Sequence, residues 1–268
     1  MSTQPIGVFD SGIGGLTVLQ EIRKVLPFED LIYLGDTARV PYGTKSKETV
    51  LRYSVQNTHF LLEQNVKAVV VACNTASAYA LDYLQSQFKV PVLGVIKPGA
   101  ERAISLKSRN IGVIGTEGTI RSQAYAQALY KLDSQAVVVS KACPLLVGLA
   151  EEGWVKGEIV AKILEVYLKP FMAQKIDSLI LGCTHYPLFK EEMARLLGKD
   201  ITLVDSAEAV TTQLKKTLDD HSLKNPDAKR KGWAKFYSTD SPDRMKRIGH
   251  YFWGSEMGEI TKVELANN

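Results

Sequence analysis

Short apolar runs alternate with amphipathic stretches along the chain, the pattern of strands and helices taking turns in an α/β fold with mainly parallel sheets. Residues 5–9 read as a buried strand, followed by a glycine-rich turn and an amphipathic helix over residues 16–25. Residues 31–34 form a second strand. Ser46 starts a helix running to about residue 64, with Val50, Leu51, Tyr53, Ser54 and Leu61 as its inward stripe. Residues 67–72 and 91–95 supply a third and a fourth strand.

The pattern then restarts. Ile6-Gly7-Val8-Phe9 is echoed by Ile111-Gly112-Val113-Ile114, and residues 31–34 by residues 136–139. Residues 68–72, ending at Cys73, are echoed by residues 178–182, ending at Cys183. All three echoes keep one order and a separation of about 105 to 110 residues. They imply two pseudo-symmetric lobes, each a mainly parallel sheet flanked by helices, with the active site in the cleft between them. Lys97-Pro98-Gly99 reads as the hinge into the second lobe, which residues 201–204 nearly complete. The tail carries helix patterns over residues 207–218 and 243–251 with a strand over 235–238 between them, and is expected to return to the first lobe. The resulting division is residues 1–97 plus 208–268, and residues 98–207.

Composition narrows the classes without choosing among them. At 268 residues, 45% hydrophobic and 23% charged, the chain is long enough to bury a core without disulfides or metal. Its three cysteines have no regular spacing, so reduced thiols are expected. The net charge is +4. Its basic cluster, Lys215, Lys216, Lys229, Arg230 and Lys231, is interleaved with Asp219, Asp220 and Asp227, the pattern of a solvated surface and not of a nucleic-acid site. Nothing after Met1 has the basic start and apolar run of a signal peptide. Apolar stretches such as residues 66–72 are too short to cross a bilayer. A cytoplasmic protein with no membrane partner is expected.

The candidate chemistry lies at the strand ends, where α/β sheets bind ligands. Cys73 is followed by Asn74, Thr75, Ala76 and Ser77, and Cys183 by Thr184, His185, Tyr186 and Pro187. A helix start favours a thiolate through its dipole and free N–H groups. A lone buried cysteine is more often a packing residue; two at equivalent strand ends, each followed by polar side chains, argue for catalysis. One thiol on each side of a cleft suits inversion of a Cα centre, in which one group removes a proton and another returns one to the opposite face. Asp10, ending the first strand beside Ser11, would assist one thiol, and His185 the other. Cys143 lacks polar neighbours of this kind and reads as structural, while His59, His221 and His250 read as surface or packing residues. Gly12, Gly14 and Gly15 form a turn like those of phosphate-binding loops, but Thr17 stands where G-x-G-x-x-G needs its third glycine. Close approach of a small carboxylate is the better account of this turn. A zinc site from Cys73, Cys183 and His185 ranks below catalysis, since no C-x-x-C pair occurs.

At these residues the sequence resembles glutamate racemase, the pyridoxal-phosphate-independent, two-cysteine type of the Asp/Glu racemase superfamily. Four segments carry the resemblance: residues 9–18 (Phe9-Asp10-Ser11-Gly12-Ile13-Gly14-Gly15-Leu16-Thr17-Val18), residues 35–43 (from Gly35-Asp36-Thr37 to Pro41-Tyr42-Gly43), residues 72–77 and residues 182–187. Weaker agreement runs through residues 94–100 and 115–119. The resemblance implies interconversion of L- and D-glutamate for peptidoglycan synthesis, with no cofactor and no metal. It implies that Cys73 and Cys183 are the acid–base pair, the first acting on D-glutamate and the second on L-glutamate, supported by Asp10 and His185. Asp10, Ser11, Tyr42, Gly43, Asn74, Thr75, Thr184 and His185 match the family's substrate contacts. A supporting acid is expected after Cys143-Pro144; Glu151 fits best and Glu152 stays open. Gly148 and Ala150 depart there from the usual proline and valine. The short lead into the first strand predicts no activation by a cell-wall precursor. Aspartate or another amino acid remains the alternative substrate, and an action on DNA gyrase the alternative of a different class. A homodimer is left open.

Overall fold

A computed structural model describes residues 1–254 and 257–266. The first half runs β1 (Ile6–Asp10), α1 (Leu16–Val25), β2 (Leu31–Gly35), α2 (Lys47–Glu63), β3 (Ala68–Val71), α3 (Asn74–Gln87), β4 (Val92–Gly94) and α4 (Ile96–Ser105). The second runs β5 (Asn110–Gly115), α5 (Glu117–Arg121), α6 (Ala124–Leu132), β6 (Val137–Ala142), α7 (Leu145–Glu151), α8 (Glu158–Ala173), β7 (Ser178–Gly182), α9 (Lys190–Leu197) and β8 (Thr202–Asp205). The chain continues with α10 (Ser206–Asp220), β9 (Ala234–Ser238), α11 (Pro242–Trp253) and β10 (Ile260–Lys262).

Two parallel sheets result, ordered β10-β9-β2-β1-β3-β4 and β6-β5-β7-β8. The core of the first, β2-β1-β3-β4, repeats in the second strand for strand, so the echo read in the sequence is a topological one. Cys73 and Cys183 follow the equivalent strands β3 and β7. These strands are apolar and buried on both faces, as parallel strands covered by helices must be. In the tail, β9 pairs with β2 from Leu31 against Ala234 to Gly35 against Ser238.

Three readings change. Lys97-Pro98-Gly99 is no hinge loop but lies in α4, because a proline near the first turn of a helix forfeits an N–H that has no partner there. In α2, Leu51 and Tyr53 are only half-buried, while Gln56, Asn57 and Thr58 are buried. That face carries polar side chains because Gln56 and Asn57 accept from Arg39, and Asn57 donates to the Tyr42 hydroxyl at 3.0 Å. β10 is a strand that the sequence pattern left unassigned. No helix among the described residues is long and apolar enough to cross a membrane.

A buried ion pair, Lys67 Nζ to Glu29 at 2.5 Å, joins the starts of β2 and β3. Lys67 also donates to the Ser2 carbonyl, and Glu29 accepts from the Asn225 amide. Removing one partner of such a pair strands a charge in the core. Lys67→Met is expected to lower stability by about 3–5 kcal/mol in urea unfolding, with most of the loss recovered in the Glu29→Met/Lys67→Met double variant. A single variant as stable as the parent contradicts this role.

Candidate active site

Both lobes send their third-strand ends to one place. Cys73, Asn74 and Thr75 meet Cys183, Thr184 and His185 around a small cavity of about 30 Å3. Ser11, Tyr42 and Gly43 complete the wall expected from the sequence. Val40, Pro41, Thr116 and Val147 also line it, and the sequence did not single them out. Thr116 was within reach, since it begins the turn after β5 just as Ser11 follows β1; it bonds Thr75 across the site at 2.8 Å. A larger groove of about 700 Å3 opens elsewhere, beside Phe88, Lys97, Lys131 and His221, and none of the expected site residues lines it.

Asp10 and Glu151 stand behind this wall. Asp10 is fully buried, accepts from the Gly12 amide at 3.0 Å and from the Thr184 hydroxyl of the other lobe at 3.5 Å. Burial raises its carboxyl above the usual range, and the His185 charge and nearby backbone N–H groups offset this only in part. Glu151 accepts from His185 Nε2 at 3.2 Å and from Arg244 at 2.9 Å. Glu152 is exposed, so Glu151 is the acid that reaches the site. Cys143 is buried away from the cavity.

The glycine-rich turn has a reason other than ligand approach. A Cβ on Gly14 would lie 2.4 Å from the Thr184 hydroxyl and 2.5 Å from the His185 ring, and one on Gly15 would lie 2.4 Å from Asp10 Cβ. Gly14 is bare because the second lobe closes onto it, and Gly15 because it packs on Asp10 and Tyr33 of its own lobe. Thr17 in the same segment donates to the Thr184 carbonyl at 3.0 Å. The turn is the seam between lobes.

The two thiols sit in different electrostatic settings. Cys73 caps α3, its sulfur accepting from the Ala76 N–H at 3.5 Å. Burial and the Asp10 carboxylate outweigh that contact and push the thiol up to about 12, reversing the helix-start expectation. Cys183 does not begin an α-helix. Pro187 lacks the N–H that an α-helical turn would direct to the Cys183 carbonyl, and residues Tyr186–Phe189 form a 3-10 turn. Its polar partner is instead His185, whose Nδ1 lies 3.7 Å from the sulfur. Burial opposes a charged imidazole, but the bonds and charges of Cys183 and Glu151 prevail and lift His185 to about 10. A thiolate formed at Cys183 therefore has a counter-ion in contact. Burial likewise opposes the Glu151 carboxylate, but His185 and then Arg244 hold it below the usual range.

This arrangement can hand a proton to one face of a bound carbon acid and take one from the other. Comparisons with known proteins agree in one direction. The profile of the Asp/Glu/Hydantoin racemase family matches residues 6–214. A glutamate racemase of Geobacter metallireducens is 48% identical over 266 residues, covering 99% of this chain and 98% of its own. The crystal structure of a glutamate racemase isoform from Bacillus anthracis is similar at a TM-score of 0.94 and 40% identity, covering 98% of each chain. That of the Francisella tularensis glutamate racemase in complex with D-glutamate is similar at 0.93 and 41%, covering 100% of each.

A His185 pKa of about 10 against 6.5 for the free side chain stabilises the fold fully below pH 6.5, and that contribution is lost as pH rises through 10. Glu151, depressed, contributes above its unfolded value and loses that contribution as pH falls through its folded one. In Glu151→Gln the His185 titration followed by NMR is expected to move down from about 10, with stability falling most near pH 6 and the loss fading as pH rises towards 10. An unmoved His185 midpoint would show that Glu151 does not hold the imidazolium.

Proposed function

The chain belongs to the glutamate racemase family, and on that premise we propose that it interconverts L- and D-glutamate by moving the Cα proton between two thiols, Cys73 and Cys183. The observation that carries this reading is that both cysteines, following equivalent strands of different sheets, line a single cavity.

The thiolate of one cysteine takes the Cα proton, leaving the electron pair on Cα conjugated with the carboxylate. The thiol of the other returns a proton to the opposite face, so each turnover exchanges which sulfur is protonated. Cys73 acts on D-glutamate and Cys183 on L-glutamate. Asp10 serves the Cys73 side, and His185, kept charged by Glu151, serves the Cys183 side. Ser11, Asn74, Thr75 and Thr184 offer hydrogen-bond donors, with the Tyr42-Gly43 backbone beside them. Donors fixed in a site without bulk water stabilise the charge that builds on the carboxylate far better than water does. No pyridoxal phosphate or metal takes part.

The product supplies D-glutamate for peptidoglycan synthesis. The enzyme acts in the cytoplasm, where a reducing environment keeps Cys73 and Cys183 as thiols. Nucleic acid is not proposed as a partner: in the basic tail Arg230 grips Asp30 at 2.7 and 2.8 Å, and Lys224 pairs with Asp219. Arg230 also lies 3.6 Å from Asp227.

In deuterium oxide, with no pyridoxal phosphate added, L-glutamate and D-glutamate should each lose optical rotation while gaining deuterium at Cα. Cys73→Ser and Cys183→Ser should each abolish turnover, and Cys143→Ser should retain it. Racemisation of aspartate in preference to glutamate would overturn the substrate, and normal turnover in either of the first two variants would overturn the mechanism.

A further inference from the structure

Asn74 opens α3 and lines the cavity, yet only one end of its amide is engaged. Oδ1 accepts from the Tyr125 hydroxyl at 2.7 Å. Nδ2 is buried and has no hydrogen-bond partner among the described residues. An unpaired buried donor costs stability, so one in the wall of a closed site points to a ligand group that completes it.

Tyr125 lies on α6, packed against the second sheet, and is 2% exposed. Its ring fits against Gly99 and Gly182, where added Cβ atoms would meet it at 3.2 and 3.0 Å. The ring is therefore fixed, and the hydroxyl is set by it. The two ends of an amide have nearly the same shape and opposite polarity, so its partners alone decide which end faces which way. Burial pushes the Tyr125 phenol far above its ordinary range, leaving it a neutral donor across the working pH range.

We propose that Tyr125 is a positioning residue for the reaction: by holding Asn74 Oδ1, it turns the Asn74 NH2 into the cavity, where a substrate carboxylate meets a donor and not a carbonyl oxygen. The inference rests on the reading of glutamate as substrate. The bond also runs between lobes, from α6 to α3, so the contact that orients the donor exists only where the lobes are closed. Without the hydroxyl the amide is free to turn, and its carbonyl repels the carboxylate. The carboxylate is charged in the substrate and gains charge as Cα is deprotonated, so the loss falls on KM and on kcat together.

The test is racemisation kinetics in both directions for Tyr125→Phe, Asn74→Ala and the double variant. Tyr125→Phe, which keeps the ring and its packing, is expected to lower kcat/KM for both enantiomers at least about tenfold, raising KM and lowering kcat. In the Asn74→Ala background, Tyr125→Phe is expected to add no further loss, since the hydroxyl then has no amide to orient. If Tyr125→Phe folds poorly, Asn74→Asp carries the test. It leaves Tyr125 an acceptor, offers the cavity oxygen alone, and should raise KM at least as far. Wild-type KM in Tyr125→Phe, or losses that simply add in the double variant, would overturn the proposal. Absence of glutamate racemisation by the unaltered protein would instead overturn the reading beneath it.

Discussion

A proton on carbon can be carried from one face of a stereocentre to the other only if an acceptor and a donor stand on opposite sides, with water kept out. That requirement accounts for the architecture. A single sheet presents its strand ends in one direction and would crowd both groups onto one side of a ligand. Two sheets of the same order, β2-β1-β3-β4 and β6-β5-β7-β8, closed onto each other, bring the ends of β3 and β7 to one cavity from two lobes. The closeness of that closure is what leaves Gly14 without a side chain.

The doubled scaffold carries an undoubled site. On one side a buried carboxyl stands by Cys73 and raises it; on the other an imidazole, held by Glu151, stands by Cys183. A reaction that runs both ways needs two groups able to exchange roles, and nothing in it demands that their neighbours match. The asymmetry also fixes how the resting site is charged. A thiol buried beside Asp10 keeps its proton, while His185 keeps its own at neutral pH. Much of the polar core serves the same end at a distance. Asp36 accepts from Tyr42, Arg39 and Thr239, and fastens the segment from which Tyr42 and Gly43 reach the cavity.

The sequence made the strands and the two cysteines legible because both leave local marks: apolar runs of strand length, and a cysteine followed by polar residues where each run ends. It also gave His185 a partner thiol by simple adjacency. Less legible was whatever depends on contacts across the lobes. The glycine turn was read as room for a ligand, whereas Gly14 faces Thr184 and His185, far away in sequence, and Gly15 faces Asp10 and Tyr33. The proline and glycine of Lys97-Pro98-Gly99 suggested a hinge, yet the first turn of α4 accommodates them. The polar inward face of α2 was unreadable because its partners, Arg39 and Tyr42, lie outside that helix. Helix-start reasoning about Cys73 failed for a similar reason, since burial outweighs the helix end.

The cavity, at about 30 Å3, has room for roughly one water molecule. The most direct measurement is a crystal structure with L- or D-glutamate bound. The account predicts Cα lying between the two sulfurs, with Cys73 Sγ and Cys183 Sγ on opposite faces and each within about 3–4 Å of it. A bound glutamate whose Cα is approached by both sulfurs from one face, or is out of reach of either, would contradict it.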